Sequence, residues 1–438
     1  MKNCIGIRQE NIDRTERRVP LTPEQTEHLI KAHRMRILVQ PAPNRFFPEK
    51  DYRNAGAEIA EDLSPCNVIF GVKEIPEINI LPGHAHCFFS HTIKGQAYNM
   101  PLLKHVLKSN ATLIDYEKVT DYQDQRLIFF GRFAGYAGMI DSLWALGKRL
   151  KWEGISAPFS EVEYAGRYDS LKDAKRSISE VGKKIANTGL PDSLVPLIFG
   201  ITGYGQVSLG AQEILDLLPH QEIAPKELAG FIKKKQYSKH QIYKVIFKEE
   251  DLVKPVSEKD SFQLQDYYQN PRKYKSCFGE FLPYLTVLVN GIYWEPKYPR
   301  LVTKEFMRYL YKQNSGQNVR VIGDITCDIE GSVEMTVKST NSENPVFVYE
   351  PLSGQILDGW EGKGPVILAV DKLPAELPRE ASETFGAALM PFVPSLAQAE
   401  FDCDFINLSL PREIIGAVIA HRGELTPEFK YLTDYLNK

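Results

Sequence analysis

The chain has 438 residues, which predicts two or three domains rather than one core. It is 43% hydrophobic and 25% charged with a formal net charge of −3, a globular composition that argues against a nucleic-acid-binding surface. No apolar run reaches the roughly 18–20 residues of a membrane span, and the amino terminus becomes polar too early for a secretory signal. The six cysteines are scattered without a C-x-x-C pair, which favours a cytoplasmic location and leaves a single internal disulfide open.

Short β-branched runs alternate with helix-compatible segments, a pattern that predicts an α/β fold of parallel sheets with crossover helices. The predicted strands are 35–40, 67–72, 86–90, 112–116, 194–201, 285–289, 319–325, 346–349 and 366–370. The predicted helices include 23–33, 95–109, 135–150, 170–188, 206–217, 303–313 and 381–391. These elements form two strand–helix series, so we expect a first domain of 1–140 plus about 372–438 and a second of 141–371. The polar segment 218–280 is interpreted as an insertion in the second domain.

A glycine turn, Gly203-Tyr204-Gly205, joins a predicted strand to a predicted helix. This order brings a backbone close to a pyrophosphate, because glycine removes blocking side chains and the helix start offers N–H groups. The third position of the G-x-G-x-x-G pattern is Ser208, which departs from it. Strand–glycine–helix turns also occur without a ligand, so the motif alone leaves both interpretations open.

Charged side chains follow the predicted strands of the first series. Arg18 precedes the first helix, Lys73 and His91 follow the next two strands, with Lys94 three positions later, and Glu117 ends a fourth strand. The carboxyl ends of strands in open α/β sheets are where ligands bind, guanidinium groups bind carboxylates, and lysine and histidine transfer protons. Each residue taken singly is more often a solvent-facing edge residue, but the series points to a site.

Further candidates lie outside this series. Arg132 precedes a Gly/Ala-rich helix start whose small residues permit close packing. Asp324 and Asp328 follow a strand of the second series, where Asp328 is placed to face a cofactor. A metal site formed by these two residues and Glu330 ranks low, because the loop lacks the calcium-binding spacing.

The chain resembles the alanine dehydrogenase/transhydrogenase superfamily, and within it the lysine–2-oxoglutarate reductase branch of the lysine-forming saccharopine dehydrogenases. The matching segments are IRQENIDRTERRVPLTPEQ, GVKEIPE, FFSHTIKGQAYNMPLL, LIDYEKVTD, GITGYGQVSLGAQEI, LVNGIYWEPKYPRLVT, GDITCDIEGSVE and VDKLPAELPREASETFG. They occur in family order between positions 5 and 386. The glycine turn is generic, whereas SHTIK and NGIYWE are specific to the reductase branch.

The resemblance implies two Rossmann-like domains with parallel sheets flanking an active-site cleft. It implies hydride transfer from a nicotinamide cofactor to an imine of lysine and 2-oxoglutarate, giving saccharopine, or the reverse oxidation. The implied acid–base residues are Lys73 and His91, and the implied substrate-binding residues are Arg18, Lys94, Glu117, Arg132 and Asp328. The implied cofactor-binding residues are Gly203, Gly205, Gln206, Val207, Glu222, Asn290, Gly291, Asp324, Asp371 and Leu373.

Cofactor choice is expected about 20 positions beyond the glycine turn, at HQEIAPKEL (220–228). Glu222 is interpreted as lying inside a short strand that ends at Ala224-Pro225-Lys226. An end without an acid and with a lysine favours NADP, with NAD as the alternative. The relatives of animals and plants are fused to a glutamate-forming saccharopine dehydrogenase, so we expect a separate protein of that kind as partner; a homo-oligomer is also open.

Two rival interpretations remain. One is a reductase of another amino acid and keto acid pair, similar to alanine dehydrogenase, against which the SHTIK and NGIYWE segments argue. The other is a catalytically silent nucleotide-binding module, which is expected to have lost residues such as Lys73 and His91.

Overall fold

The computed structural model describes residues 2–12, 15–313 and 318–437. The chain forms two compact units, one of Met1–Phe130 with Pro378–Lys438 and one of Gly131–Leu377. The expected boundaries, at 140 and about 372, differ from these because helix 131–152 and the turn that follows residue 372 pack with the second unit. Among the described residues, no helix is long and apolar enough to cross a bilayer.

The elements are numbered in chain order. The first unit begins with β1 (Cys4–Ile7), α1 (Pro23–His33), β2 (Arg36–Val39), α2 (Glu49–Asn54), β3 (Glu58–Ile59), β4 (Val68–Phe70), β5 (Ala85–Phe88), α3 (Met100–Lys108) and β6 (Thr112–Asp115). The second unit contains α4 (Gly131–Trp152), α5 (Leu171–Thr188), β7 (Ile198–Thr202), α6 (Gln206–Leu215), β8 (His220–Glu222), α7 (Pro225–Lys234), β9 (Ile242–Phe247), α8 (Glu249–Leu252), β10 (Val253–Pro255), α9 (Leu264–Gln269), β11 (Tyr274–Ser276), β12 (Val287–Asn290), α10 (Lys304–Lys312), β13 (Val321–Asp324), β14 (Val346–Tyr349), β15 (Ile356–Asp358) and β16 (Val366–Leu368). The chain returns to the first unit with α11 (Pro378–Leu389), α12 (Val393–Gln398), α13 (Arg412–Ile415), β17 (Val418–His421), β18 (Glu424–Leu425) and α14 (Thr433–Leu436).

The first unit is built on a sheet of order β18-β17-β6-β5-β4-β1-β2-β3. Strands β1 to β6 are parallel, and β17 joins β6 antiparallel. The central strands β1, β4, β5 and β6 are buried along their whole length, as expected for parallel strands covered by helices. The carboxyl ends of β1, β4, β5 and β6 therefore lie side by side along one edge.

Helix α1 starts where its sequence predicts. Thr22 caps it, accepting a hydrogen bond from the Gln25 backbone N–H at 3.3 Å, while the Gln25 side chain accepts one from the Thr22 N–H at 2.9 Å. This reciprocal capping box, with Pro23 in the first turn, fixes the chain just after Arg18.

The second unit has a sheet of order β15-β14-β16-β13-β12-β7-β9-β8. Strands β7, β8, β9, β12, β13 and β16 are parallel, whereas β14 and β15 form an antiparallel edge. The α/β fold with two mostly parallel sheets is confirmed. Segment 218–280 differs from the predicted insertion, because it contains β9, which pairs with the central strand β7.

Candidate active site and dinucleotide-binding turn

The titratable residues predicted in the first unit meet at one edge of its sheet. Lys73 comes shortly after β4, His91 after β5 and Glu117 after β6, and these three strands are parallel neighbours. Arg18 comes close to the same edge by packing against an aromatic ring. Its guanidinium carbon lies 4.1 Å from the centroid of the Phe130 ring. The sheet topology thus brings together four residues that are up to 99 positions apart.

Arg18 forms an ion pair with an acid that the sequence analysis did not single out. It is 3% exposed, and its Nε and Nη2 atoms donate to the two carboxylate oxygens of Glu16 at 2.7 and 2.6 Å. Burial acts to raise the pKa of Glu16, but the charge and hydrogen bonds of Arg18 outweigh it and leave that pKa below its ordinary value. The carboxylate-binding role of Arg18 stays a prediction, and the local signal for its ion pair was an acid two positions earlier.

His91 is oriented by Glu74, a second residue that was missed. Its Nδ1 atom forms a hydrogen bond with Glu74 Oε1. Because an ionised carboxylate only accepts hydrogen bonds, Nδ1 carries the proton and Nε2 is left to exchange one. His91 has a positive φ of 51°, a strained conformation that the surrounding structure must hold.

The turn that carries Lys73 lies close to the ion pair of Arg18 and Glu16. Lys73 is half-buried, and its charge contributes to the lowered pKa of Glu16 after the larger effects of burial and Arg18. Glu117 accepts a hydrogen bond from Arg126 Nη2 at 2.7 Å. Lys94 is exposed three positions beyond His91. The edge of the sheet thus combines cations and carboxylates in contact, an arrangement suited to moving protons.

Two predicted substrate-binding residues belong to the second unit. Arg132, in the first turn of α4, donates to Glu213 Oε2 at 2.7 Å and to the Tyr136 hydroxyl at 3.2 Å. Asp328 lies in the loop after β13. Their part in substrate binding stays a prediction.

The glycine turn has the geometry of a phosphate cradle. Gly203 has a φ of +83°, and a Cβ atom there would lie 3.2 Å from Ile292 Cγ2, so glycine is required. Gly205 precedes α6 as its cap residue, without a side-chain cap, and a Cβ atom built on it meets nothing within 4 Å. The first N–H groups of α6, at Gln206 and Val207, are among the donors that a helix start leaves without an intrahelical acceptor, and their binding of a pyrophosphate stays a prediction.

Close helix packing explains why Ser208 is tolerated at the third motif position. A Cβ atom on Gly210 would lie 2.2 Å from the Arg132 carbonyl oxygen, and one on Gly135 would lie 2.0 Å from that of Val207. The glycines of α4 and α6 thus allow these helices to touch. Ser208 is buried and accepts a hydrogen bond from Gln212 at 3.0 Å.

Asn290 and Asp324 form a buried network between strand ends. Asn290 accepts from Thr202 Oγ1 at 2.7 Å and donates to Asp324 Oδ1 at 2.8 Å, while Asp324 Oδ2 accepts from Thr336 at 2.6 Å. Burial raises the pKa of Asp324. These contacts join β7, β12 and β13, which places Gly291 against the glycine turn, where its N–H donates to Thr202 Oγ1 at 3.3 Å.

The remaining predicted positions follow β16. Asp371 is exposed and Leu373 is 1% exposed, within the core of the second unit. Glu330, considered above as a metal ligand with Asp324 and Asp328, pairs with Lys304. Within the ranges that the structure describes, no three His, Cys, Asp or Glu side chains are grouped as metal ligands, and all six cysteines are free.

The prediction that Glu222 lies inside its strand is wrong. Glu222 is the last residue of β8, not an interior one, and β8 is the edge strand of the sheet. The strand beside β7 is β9, and the Gly203 N–H donates to the Phe247 carbonyl at its end, at 2.9 Å. The residues next to the glycine turn are therefore Lys248 and Glu249. The chain forms the edge strand β8 first and then β9, which lies between β8 and β7.

Lys248 and Glu249 contact the glycine turn itself. Glu249 Oε1 accepts hydrogen bonds from Tyr268 at 2.7 Å and from Tyr204 at 3.5 Å. The Lys248 Nζ atom lies 6.0 Å from the centroid of the Tyr204 ring. The adenosine ribose of a dinucleotide is read at the end of this strand in Rossmann-like folds.

The chain is similar to several known proteins. Residues 6–137 match the family model of the alanine dehydrogenase/PNT N-terminal domain. An alpha-aminoadipic semialdehyde synthase of Arabidopsis thaliana is 40% identical over 98% of this chain, which spans only 41% of that protein. A saccharopine dehydrogenase [NAD(+), L-lysine-forming] of Neurospora crassa is 26% identical over 86% of this chain and 87% of its own length. An L-alanine dehydrogenase structure, 15% identical, covers 99% of both chains with a TM-score of 0.60.

The structure shares its two-sheet α/β fold with the L-alanine dehydrogenase structure. Residues 6–137 have the alanine dehydrogenase/PNT N-terminal domain, and the whole chain is similar to the alpha-aminoadipic semialdehyde synthase and the lysine-forming saccharopine dehydrogenase, as the resemblance of its segments predicts. The dehydrogenases among these relatives imply a nicotinamide cofactor.

Proposed function

We propose that the protein catalyses the NAD(P)H-dependent condensation of L-lysine with 2-oxoglutarate to saccharopine, or the reverse oxidation. The observation that carries the proposal is that Lys73 and His91 follow adjacent parallel strands. Beside them, Glu74 binds the His91 ring and Glu16 binds the Arg18 guanidinium. Similarity over 98% of the chain to an alpha-aminoadipic semialdehyde synthase supports this choice of substrates.

The chemistry requires groups that exchange protons. Lysine arrives as an ammonium and must lose a proton before its nitrogen attacks the keto carbon, and the resulting carbinolamine must then lose water. Lys73 and His91 carry these steps, with Nε2 of His91 as the exchanging atom. Arg18 binds a carboxylate of the acidic substrate, and Glu117 holds the substrate ammonium. Lys94, Arg132 and Asp328 stay predicted substrate-binding residues.

A dinucleotide fits the second unit. The open side of Gly205 and the uncapped start of α6 hold its pyrophosphate, and Gly203 and Gly291 allow its close approach. When bound, the nicotinamide supplies the hydride. Holding both substrates beside it contributes a proximity effect that reaches roughly 7–11 kcal/mol in ideal cases.

A direct assay tests the proposed reaction. Purified protein is expected to oxidise NADPH with lysine plus 2-oxoglutarate and to yield a product with the mass of saccharopine. Pyruvate plus ammonia is expected to give no turnover above background. Turnover with the second pair alone would establish the alanine-dehydrogenase-like alternative, and turnover with neither would favour a silent nucleotide-binding module.

We propose NADP as the cofactor, with NAD as the alternative. The argument rests on Lys248, which is exposed at the end of β9 and can pair with a 2′-phosphate. Glu249 is the group that would favour NAD by accepting from the ribose hydroxyls, but two tyrosine hydroxyls already bind its carboxylate. The choice of cofactor therefore depends on these two residues.

Substitutions at the end of β9 are expected to act in opposite directions. Lys248→Ala removes one charge-assisted contact of roughly 1.5 kcal/mol and raises the KM for NADPH about tenfold, with little change for NADH. Glu249→Ala is expected to raise the KM for NADH instead. Glu222→Ala and Lys226→Ala are matched controls from the edge strand and the following helix, and are expected to change neither KM. Effects confined to the Glu222 and Lys226 variants would contradict the assignment.

A further inference from the structure

Two buried carboxylates bind the strand-end turns that carry Lys73 and His91, one carboxylate at each turn. Glu10 lies just after β1, and Asp115 is the last residue of β6. They flank β4 and β5 in the sheet, so each lies beside a turn that bears a proposed acid–base residue. Both accept hydrogen bonds from backbone N–H groups of those turns.

Glu10 holds the Lys73 turn. Its Oε1 atom accepts from the Val72 N–H at 2.8 Å, and its Oε2 atom accepts from the Lys73 N–H at 3.1 Å. A Cβ atom at Gly71 would lie 3.3 Å from Glu10 Oε1, so glycine there makes room for the carboxylate. Arg8, 4% exposed, places Nη1 at 3.7 Å from Glu10 and offsets its charge.

Asp115 holds the His91 turn and its own. Its Oδ2 atom accepts from the Ser90 N–H at 3.0 Å and also from the Ser90 hydroxyl. Its Oδ1 atom accepts from the Glu117 N–H at 2.8 Å. Burial raises the pKa of Asp115 to about 6, so above that pH the ionised form predominates, and only this form accepts at both oxygens without donating.

The backbone at His91 is held on both sides. A non-glycine residue at a φ of 51° costs conformational energy that such contacts offset. Asp115 fixes the residue before His91, and the Asn99 side chain donates to the His91 carbonyl oxygen at 3.3 Å on the other side. The two carboxylates thus determine where the Lys73 and His91 side chains begin.

We infer that Glu10 and Asp115 are positioning residues for Lys73 and His91, acting through backbone N–H groups rather than by touching substrate. This inference deepens the proposed function and rests on it for its kinetic consequences. An amide at either position keeps one acceptor oxygen but presents an NH₂ group to the other N–H, so that turn must move.

The experiment compares Asp115→Asn, Glu10→Gln and the milder Ser90→Ala with wild-type protein. Asp115→Asn and Glu10→Gln are expected to lower kcat about 100-fold, the size of effect that a displacement near 1 Å produces, with KM changed less than threefold. Ser90→Ala, which removes one donor and leaves the carboxylate, is expected to give an intermediate decrease. Thr112→Val is the control: it removes a buried hydrogen bond to His421 at the opposite end of β6 and is expected to lower Tm without lowering kcat.

A second measurement does not depend on the reaction. The imidazole C2–H resonance of His91, assigned by its loss in His91→Gln, is expected to shift or broaden in Asp115→Asn and Ser90→Ala but not in Thr112→Val. An unchanged resonance in folded Asp115→Asn, or a kcat loss in Thr112→Val as large as that in Asp115→Asn, would overturn the inference. If wild-type protein fails to condense lysine with 2-oxoglutarate while the resonance moves as expected, the proposed function fails and the positioning role stands.

Discussion

Lys73→Met and His91→Gln are each expected to lower kcat for saccharopine formation by about 10²–10⁴-fold, the contribution of a positioned general acid or base. Methionine keeps most of the length of the lysine side chain without its amine, and glutamine keeps a polar side chain without the imidazole. Binding of NADPH is expected to stay intact, because the glycine turn belongs to the second unit. Steady-state kinetics and fluorescence titration of NADPH measure the two quantities.

Matched substitutions on the surface of the same unit control for general effects. Lys104→Met on α3 and His28→Gln on α1 change exposed residues of the same types and are expected to leave kcat within twofold. Retention of more than half the wild-type kcat in both Lys73→Met and His91→Gln would refute the assignment of acid–base chemistry to this edge.

Gly205→Leu is expected to weaken cofactor binding strongly while leaving the fold intact. A side chain here meets nothing within 4 Å in the protein, so it fills the space proposed for the pyrophosphate. Losing two charge-assisted hydrogen bonds of roughly 1.5 kcal/mol each weakens NADPH binding about 100-fold. Isothermal titration calorimetry measures the affinity, and differential scanning calorimetry measures Tm, which is expected to stay near that of the wild type.

Two other glycines separate binding from stability. Gly230→Leu on α7 also meets nothing within 4 Å, and is expected to leave the affinity unchanged and to raise Tm slightly, because leucine favours a helix more than glycine does. Gly210→Ala forces a methyl group to 2.2 Å from the Arg132 carbonyl oxygen, and such overpacking is expected to cost about 1–3 kcal/mol of the free energy of unfolding. If Gly205→Leu bound NADPH as tightly as the wild type, the turn would not be the pyrophosphate site.

Features set by neighbouring residues in the chain were predicted well. Helix α1 begins at Pro23, as its capping box indicates, and α6 begins at Gln206 directly after the glycine turn. The expected order of strands and helices, from hydrophobic periodicity, yields the α/β class that the two sheets confirm. The resemblance of short segments then carried the prediction of candidate site residues, because such segments combine turn chemistry with functional side chains.

Contacts between distant residues escaped the sequence analysis. Glu74 is an ordinary loop acid until the sheet places it against His91, 17 positions away. Glu16 lies only two positions from Arg18, but its burial with Arg18 depends on the folded unit. Strand β9 is absent from the predicted strands, because its run IYKVIF lies within a segment rich in lysine and tyrosine. The predicted boundary at residue 140 was displaced because α4 packs along its whole length with the second unit.

The strand order of the second sheet depends on the tertiary structure, whereas the type of each element depends on the local sequence. Local propensity and patterning were enough to predict an α/β protein with a phosphate turn and charged strand ends, since these depend on residues only a few positions apart. Pairing of β9 rather than β8 with β7 is decided by burial: the apolar β9 fills a position covered on both faces, whereas β8, with exposed Gln221 and Glu222, tolerates the edge. That choice moves the proposed cofactor-discriminating residues from Glu222 to Lys248 and Glu249, because a strand's neighbours form only when the whole sheet is assembled.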